Sequence, residues 1–151
     1  AKITAICHTS VCGRLLNYFL CSIFILITQD AYIMTVQRLH VSNRFSEVAI
    51  AGNLVHLAGQ LASDFDLDIK GQTQQTLDMI DQFLADAGTD KSHILSVTIY
   101  LKDIENDYAA FNEVWDAWVA DIDALPRTCV EAKLYDPQVL VELTVVAVKA
   151  E

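Results

Sequence analysis

Near its C-terminus the chain runs Val139–Val148, VLVELTVVAV, apolar at every position except Glu142 and Thr144. A strand wetted on one face alternates apolar and polar residues, whereas an almost unbroken apolar run is the mark of a strand covered on both faces. The stretch therefore predicts a central strand over Leu140–Lys149, in a sheet with neither face left bare. It also isolates one acid. Burying an unpaired carboxylate is costly unless the group is hydrogen-bonded, paired with a cation or kept protonated. Glu142 thus needs a partner or a chemical role.

The rest of the body supplies the companions of that strand. From Glu47 the sequence EVAIAGNLVHLAGQ holds two apolar runs around Gly52-Asn53, which predicts a tight hairpin. A polar loop, SDFDLDIKG, follows. Thr73–Ala87 places Leu77, Ile80, Phe83, Leu84 and Ala87 on one helical stripe, with Gly88 as the stop signal. Ile94–Lys102 alternates as a strand, with Val97, Ile99 and Leu101 on one side. Asp107–Val119 spaces Tyr108, Phe111, Trp115 and Trp118 as a second helix whose aromatics read as core, with Asp103 or Asn106 as a cap near its start. Two strands, Arg127–Leu134 and Leu140–Lys149, close the chain. The predicted order is β-β-α-β-α-β-β, an α+β sheet of four to five strands with two helices on one face. Two helices cover only one face, so a second copy of the sheet is expected on the other, in a closed homo-oligomer.

Charge and cysteines narrow the partners. The chain has 151 residues, a 53% apolar content sufficient for one core, and a formal net charge of −10. That charge opposes nucleic acid and anionic lipid surfaces, and with them an endoribonuclease reading. Cys7, Cys12 and Cys21 cluster early and only Cys129 lies in the body, so no disulfide framework supports the fold and a reducing, cytoplasmic setting is expected. Leu15–Ile27, LLNYFLCSIFILI, is apolar without periodicity: short for a membrane span and lacking a small-x-small cleavage signal after it. Residues 1–33 are read as an extension outside the domain and 34–151 as the domain itself; a secreted or membrane-tethered form is the alternative.

Most motif chemistry is missing. Asp64, Asp66 and Asp68 alternate like a calcium loop, but Ile69 and Gln75 stand where glycine and glutamate are required, so they read as a solvated loop. His40, His56 and His93 are scattered, and no phosphate loop, dinucleotide fingerprint or nucleophile elbow occurs, so neither a metal nor a cofactor is expected. One constellation survives. In PRTCVEAKL, alternation puts Arg127, Cys129 and Glu131 on one strand face. Arg127 follows Pro126 at the strand's start, and a guanidinium grips carboxylates bidentately. If Glu142 faces the same cleft, from this subunit or a neighbour, the pair forms an anion-binding site with an acid beside it. A plain Arg127–Glu142 ion pair, or a Glu142 bonded to a backbone amide, is the competing reading, and spacing alone leaves both open.

Over Arg44–Val148 the chain resembles the reactive-intermediate deaminase (Rid, YjgF) family. The likeness is carried by GNLVHLAGQ, the helix TQQTLDMIDQFLADAG, TIYLKDIENDYAAFNEVWDAW, PRTCVEAKL and VELTVVAV. It implies a chorismate-mutase-like α+β fold, a homotrimer with sites between subunits, and cofactor-independent hydrolysis of 2-imino acids and enamines such as 2-iminopropionate and 2-aminoacrylate. By resemblance, Arg127 binds the substrate carboxylate, Glu142 handles the water, and Cys129, Asn112 and Gly59 line the site. Phe45 and Ala58 stand where the family's best-known members carry a tyrosine and a serine, so two site hydroxyls are missing here. A non-catalytic module that binds small carboxylates is the alternative function.

Overall fold

The protein is described from a computed structural model, in which residues 35–150 are placed. The apolar Leu15–Ile27 segment lies outside the described residues. Six strands form one mixed sheet: β1 (Val36–Val41), β2 (Ser46–Ala51), β3 (Leu54–Gln60), β4 (Ile94–Leu101), β5 (Arg127–Glu131) and β6 (Val141–Val148). Across the sheet they lie in the order β1-β2-β3-β6-β4-β5. All neighbours are antiparallel except β4 and β5, which run parallel because helix α2 (Ile104–Trp118) carries the chain back between them. Helix α1 (Ile69–Asp86) joins β3 to β4 by way of a short 3₁₀ turn at Lys91–His93. The α+β class and the helix pair on one face agree with the sequence reading, and β6 is central as its composition requires.

Local chemistry sets most boundaries. The two-residue turn Gly52-Asn53 closes the β2–β3 hairpin, and Gly52 takes φ 63°, which a side chain disfavours. Asp68, one of the three alternating aspartates, is no idle loop residue: its carboxylate accepts from the Gly71 amide at 2.9 Å and starts α1 at Ile69, four residues before the expected Thr73. Asp103 does the same for α2, accepting from Asn106 N at 3.1 Å, which resolves the choice between those two caps.

The sixth strand is a correction. β1 precedes the first strand expected from the sequence, and its residues VQRLHV are exposed at nearly every position. It is an edge strand, so no face of it carries an apolar pattern. β5 also ends earlier than expected, at Glu131, because 132–140 leave the sheet as a loop. Tyr108 is 42% exposed and does not belong to the core, unlike Phe111, Trp115 and Trp118.

The core lies between the helices and one sheet face. Val97, Ile99 and Leu101 of β4 and Val141, Leu143 and Val145 of β6 meet Leu77, Ile80 and Leu84 of α1 and Phe111 and Trp115 of α2. The opposite face of β6 carries Glu142, Thr144, Val146 and Val148, all half-buried within the protomer. This is the face that composition says must be covered. Among the described residues, no helix is long and apolar enough to cross a membrane.

Candidate active site

Arg127 opens β5 and pairs with Val97, just as Cys129 pairs with Ile99. Directly opposed residues share a sheet face, so both side chains stand on the helix side. There the Arg127 Nη2 donates to Asn112 Oδ1 at 2.8 Å, and its Cζ lies 5.0 Å from the centre of the Trp115 ring. Asn112 and Trp115 are three residues apart on α2 and present one surface to the guanidinium. Nη1 is buried and has no hydrogen-bond partner among the described residues. A buried guanidinium donor without an acceptor is costly and marks a place for an anion.

The strand and helix that hold this arginine are themselves tied together. Glu131, four residues on, accepts from the Ile104 amide at the start of α2 at 3.1 Å. That bond sets α2 against β5 and with it Asn112 against Arg127. The Cys129 thiol is pushed above its ordinary range by burial, with the Arg127 charge pulling the other way. It is a poor nucleophile in this setting.

Glu142 lies elsewhere. It pairs with Tyr100 on β4, whose side chain faces away from the helices, so Glu142 occupies the open face. β4 separates it from β5, and three positions of register separate Tyr100 from Val97. The Arg127 and Glu142 Cα atoms are therefore roughly 14 Å apart from strand spacing and rise alone, with side chains on opposite faces. Within one protomer the shared cleft does not form, and the plain Arg127–Glu142 ion pair is ruled out.

The Glu142 carboxyl sits over Gly59 so closely that a Cβ there would overlap it. Gly59 and Ala58 fall where the β3–β6 register shifts between Leu57 and Gln60. The buried Gln60 amide secures this irregularity, donating to Ala58 O at 3.2 Å and to Glu47 Oε2 at 3.0 Å. Among the described residues Glu142 has neither an ion pair nor a hydrogen bond, and burial pushes its carboxyl above the ordinary 4.5. Phe45, just before β2, is 54% exposed and its carbonyl closes a turn with Ser42.

The residues thus fall into two groups: Arg127, Asn112 and Cys129 on the helix side, Glu142, Gly59 and Ala58 around β3 and β6. Trp115 escaped the sequence reading as a site residue because its spacing is that of a core aromatic. Its position three residues after Asn112 was the available signal.

The sequence model described as endoribonuclease L-PSP matches residues 35–149, all but the last of the described residues. A RutC family protein of Haemophilus ducreyi is 46% identical over 112 residues, spanning 74% of this chain and 95% of its own length. This chain belongs to the RutC (YjgF, Rid) family. Another RutC family protein, YoaB of Escherichia coli, is 41% identical over 76% of this chain and 98% of its own. A crystal structure of a YjgF family member from Neisseria meningitidis superposes with a TM-score of 0.74 at 40% identity, covering 78% of this chain and 98% of the other. That share of this chain corresponds in extent to the domain described above.

Proposed function

We propose that this RutC family member hydrolyses 2-imino acids and their enamine tautomers to 2-keto acids and ammonia, in clefts between the protomers of a homotrimer. The observation that carries the reading is the buried, unpartnered Nη1 of Arg127, braced by Asn112 and Trp115. A carboxylate is the acceptor that fits a guanidinium edge. Since Arg127 and Glu142 face opposite ways in one chain, an adjoining protomer brings its Glu142 to this Arg127, and the half-covered face of β6 becomes the contact.

The imine carbon is already electrophilic, so the chemistry asks for orientation and proton transfer. Arg127 holds the substrate carboxylate. Glu142, whose carboxyl burial shifts toward the protonated form, gives its proton to the imine nitrogen. The resulting carboxylate then takes a proton from the water that attacks C2. The tetrahedral amino alcohol collapses: the C2–N bond breaks, the hydroxyl proton passes to nitrogen, and ammonia and the 2-keto acid leave. Cys129 takes no part in this sequence.

The test generates 2-aminoacrylate with a lyase and follows keto-acid formation with wild type, Arg127→Ala and Glu142→Ala. Acceleration by wild type and loss in both variants is expected; equal rates with and without protein reject the reading. The second reading is a carboxylate-binding module without catalysis. Phe45 and Ala58 favour it, because each replaces a hydroxyl whose charge-assisted bond is worth about 1.5 to 3 kcal/mol. Thermal stabilisation by 2-keto acids without faster imine hydrolysis identifies that case. RNA cleavage, named in the family description, is opposed by the net charge of −10.

A further inference from the structure

Gln72 sits in the first turn of α1, fully buried. Its Nε2 lies 3.1 Å from the carbonyls of Phe65 and Leu67 and 3.0 Å from that of Gln138, and its Oε1 accepts from the Leu140 amide at 2.9 Å. Both N–H donors are thus shared among three carbonyls, and the amide oxygen is also engaged. Phe65 and Leu67 belong to the loop that leaves β3, one end of which is the Gly59-Gln60 irregularity. Gln138 and Leu140 belong to the loop that leads into β6. The carbonyl of Leu140 is taken by Lys102 N at 2.9 Å, so Leu140 is held through both backbone groups two residues before Glu142.

We propose that Gln72 is a positioning residue for the site: by clamping the segment that leads into β6 to the segment that leaves β3, it keeps the Glu142 carboxyl over Gly59. The inference rests on the role given to Glu142 above. Few other bonds hold the 132–140 loop at this end. Val139 N reaches only Asp136 O, at 3.2 Å, and Gln138 N is bonded to the Asp136 side chain at 2.8 Å, both within the loop itself. Without the glutamine, the head of β6 is anchored to the rest of the protein by Lys102, whose Nζ also bonds Pro137 O at 2.5 Å, and by the exposed Gln138 side chain, whose Nε2 donates to Asp66 Oδ1 at 3.2 Å. A fully satisfied buried polar group fixes one arrangement among several that apolar packing tolerates. Small displacements at a catalytic carboxyl are expensive, because a misplacement of about 1 Å costs on the order of 100-fold in rate.

The test compares Gln72→Met, similar in length but without the four bonds, with Ile80→Val, a destabilising core change on the same helix. Two readouts are used. In imine hydrolysis, Gln72→Met lowers kcat by up to about 100-fold with KM nearly unchanged, yet alters kcat by no more than about twofold when Glu142 is already Gln. In ¹³C NMR, the Glu142 side-chain carboxyl titrates lower in Gln72→Met, as water gains access, and not in Ile80→Val. Equal kcat losses in both backgrounds, or lost stability with an unchanged Glu142 titration, overturn the proposal. If wild type does not hydrolyse imines, the proposed activity fails while the titration still decides whether Gln72 places Glu142. Gln72→Glu, which retains the acceptor for Leu140 N, replaces Gln72→Met where that variant does not fold, with the same readouts and the same overturning results.

Discussion

Gly59→Ala tests the placement of Glu142 with a single methyl group. A Cβ at residue 59 would stand 2.8 Å from Glu142 Cδ and 3.2 Å from its Cγ, and closer still to Oε1. Carbon atoms settle at about 3.5 to 4.0 Å, so the carboxyl carbon must retreat by roughly 0.7 to 1.2 Å. Gly59 is not among the positive-φ glycines, so its backbone accepts alanine without strain. The displaced group is also the far end of a flexible side chain. Stability therefore changes little: the smaller entropy of the unfolded chain contributes about 0.4 to 1 kcal/mol in favour of alanine and offsets the repacking. The proposed activity is expected to respond far more, because about 1 Å of displacement at the proposed proton-transferring group costs on the order of 100-fold. Imine hydrolysis by the lyase-coupled assay, with urea unfolding in parallel, measures both. A variant that folds normally and retains wild-type kcat would show that the carboxyl above Gly59 has no part in the chemistry.

Three further outcomes follow from the same geometry. Burial raises the Glu142 pKa above 4.5, so the fold favours its protonated form; stability is greatest below that value, declines as pH rises through the folded pKa, and is flat above it. Glu142→Gln removes this decline and is more stable than wild type at neutral pH, which urea midpoints across pH 4 to 8 (roughly the span of such shifts) report; an unchanged slope contradicts the assigned burial. Asp81 accepts from the largely buried Trp118 indole at 2.9 Å, so Asp81→Ala loses about 1 to 3 kcal/mol in chemical unfolding, while Asp81→Asn, which keeps an acceptor, loses less. Val146→Lys puts a cation in the middle of the face opposite the helices; if wild type sediments as the proposed trimer, the variant is expected as a monomer, and an undisturbed trimer places the contact elsewhere.

The sequence by itself determined what depends on neighbours along the chain. The Gly52-Asn53 turn, the apolar stripe of α1, the alternation of β4 and the central place of β6 are each encoded within a dozen residues, and each is found in the structure. Family resemblance, too, was carried by short local motifs around Arg127 and Glu142. Tertiary structure alone decided how those residues face one another. Alternation says that Arg127 and Cys129 share a side of β5, and it puts Glu142 opposite Leu143 on β6. Which side of the sheet each one takes depends on the pairing of both strands with β4, and a shift of one residue in either register would reverse it. The same holds for Gln72, whose polar side chain reads as surface until the segment just before α1 and the distant loop that leads into β6 close over it. β1 was hidden for the converse reason: an exposed edge strand is held by backbone bonds to β2, and those leave no pattern of side chains to read.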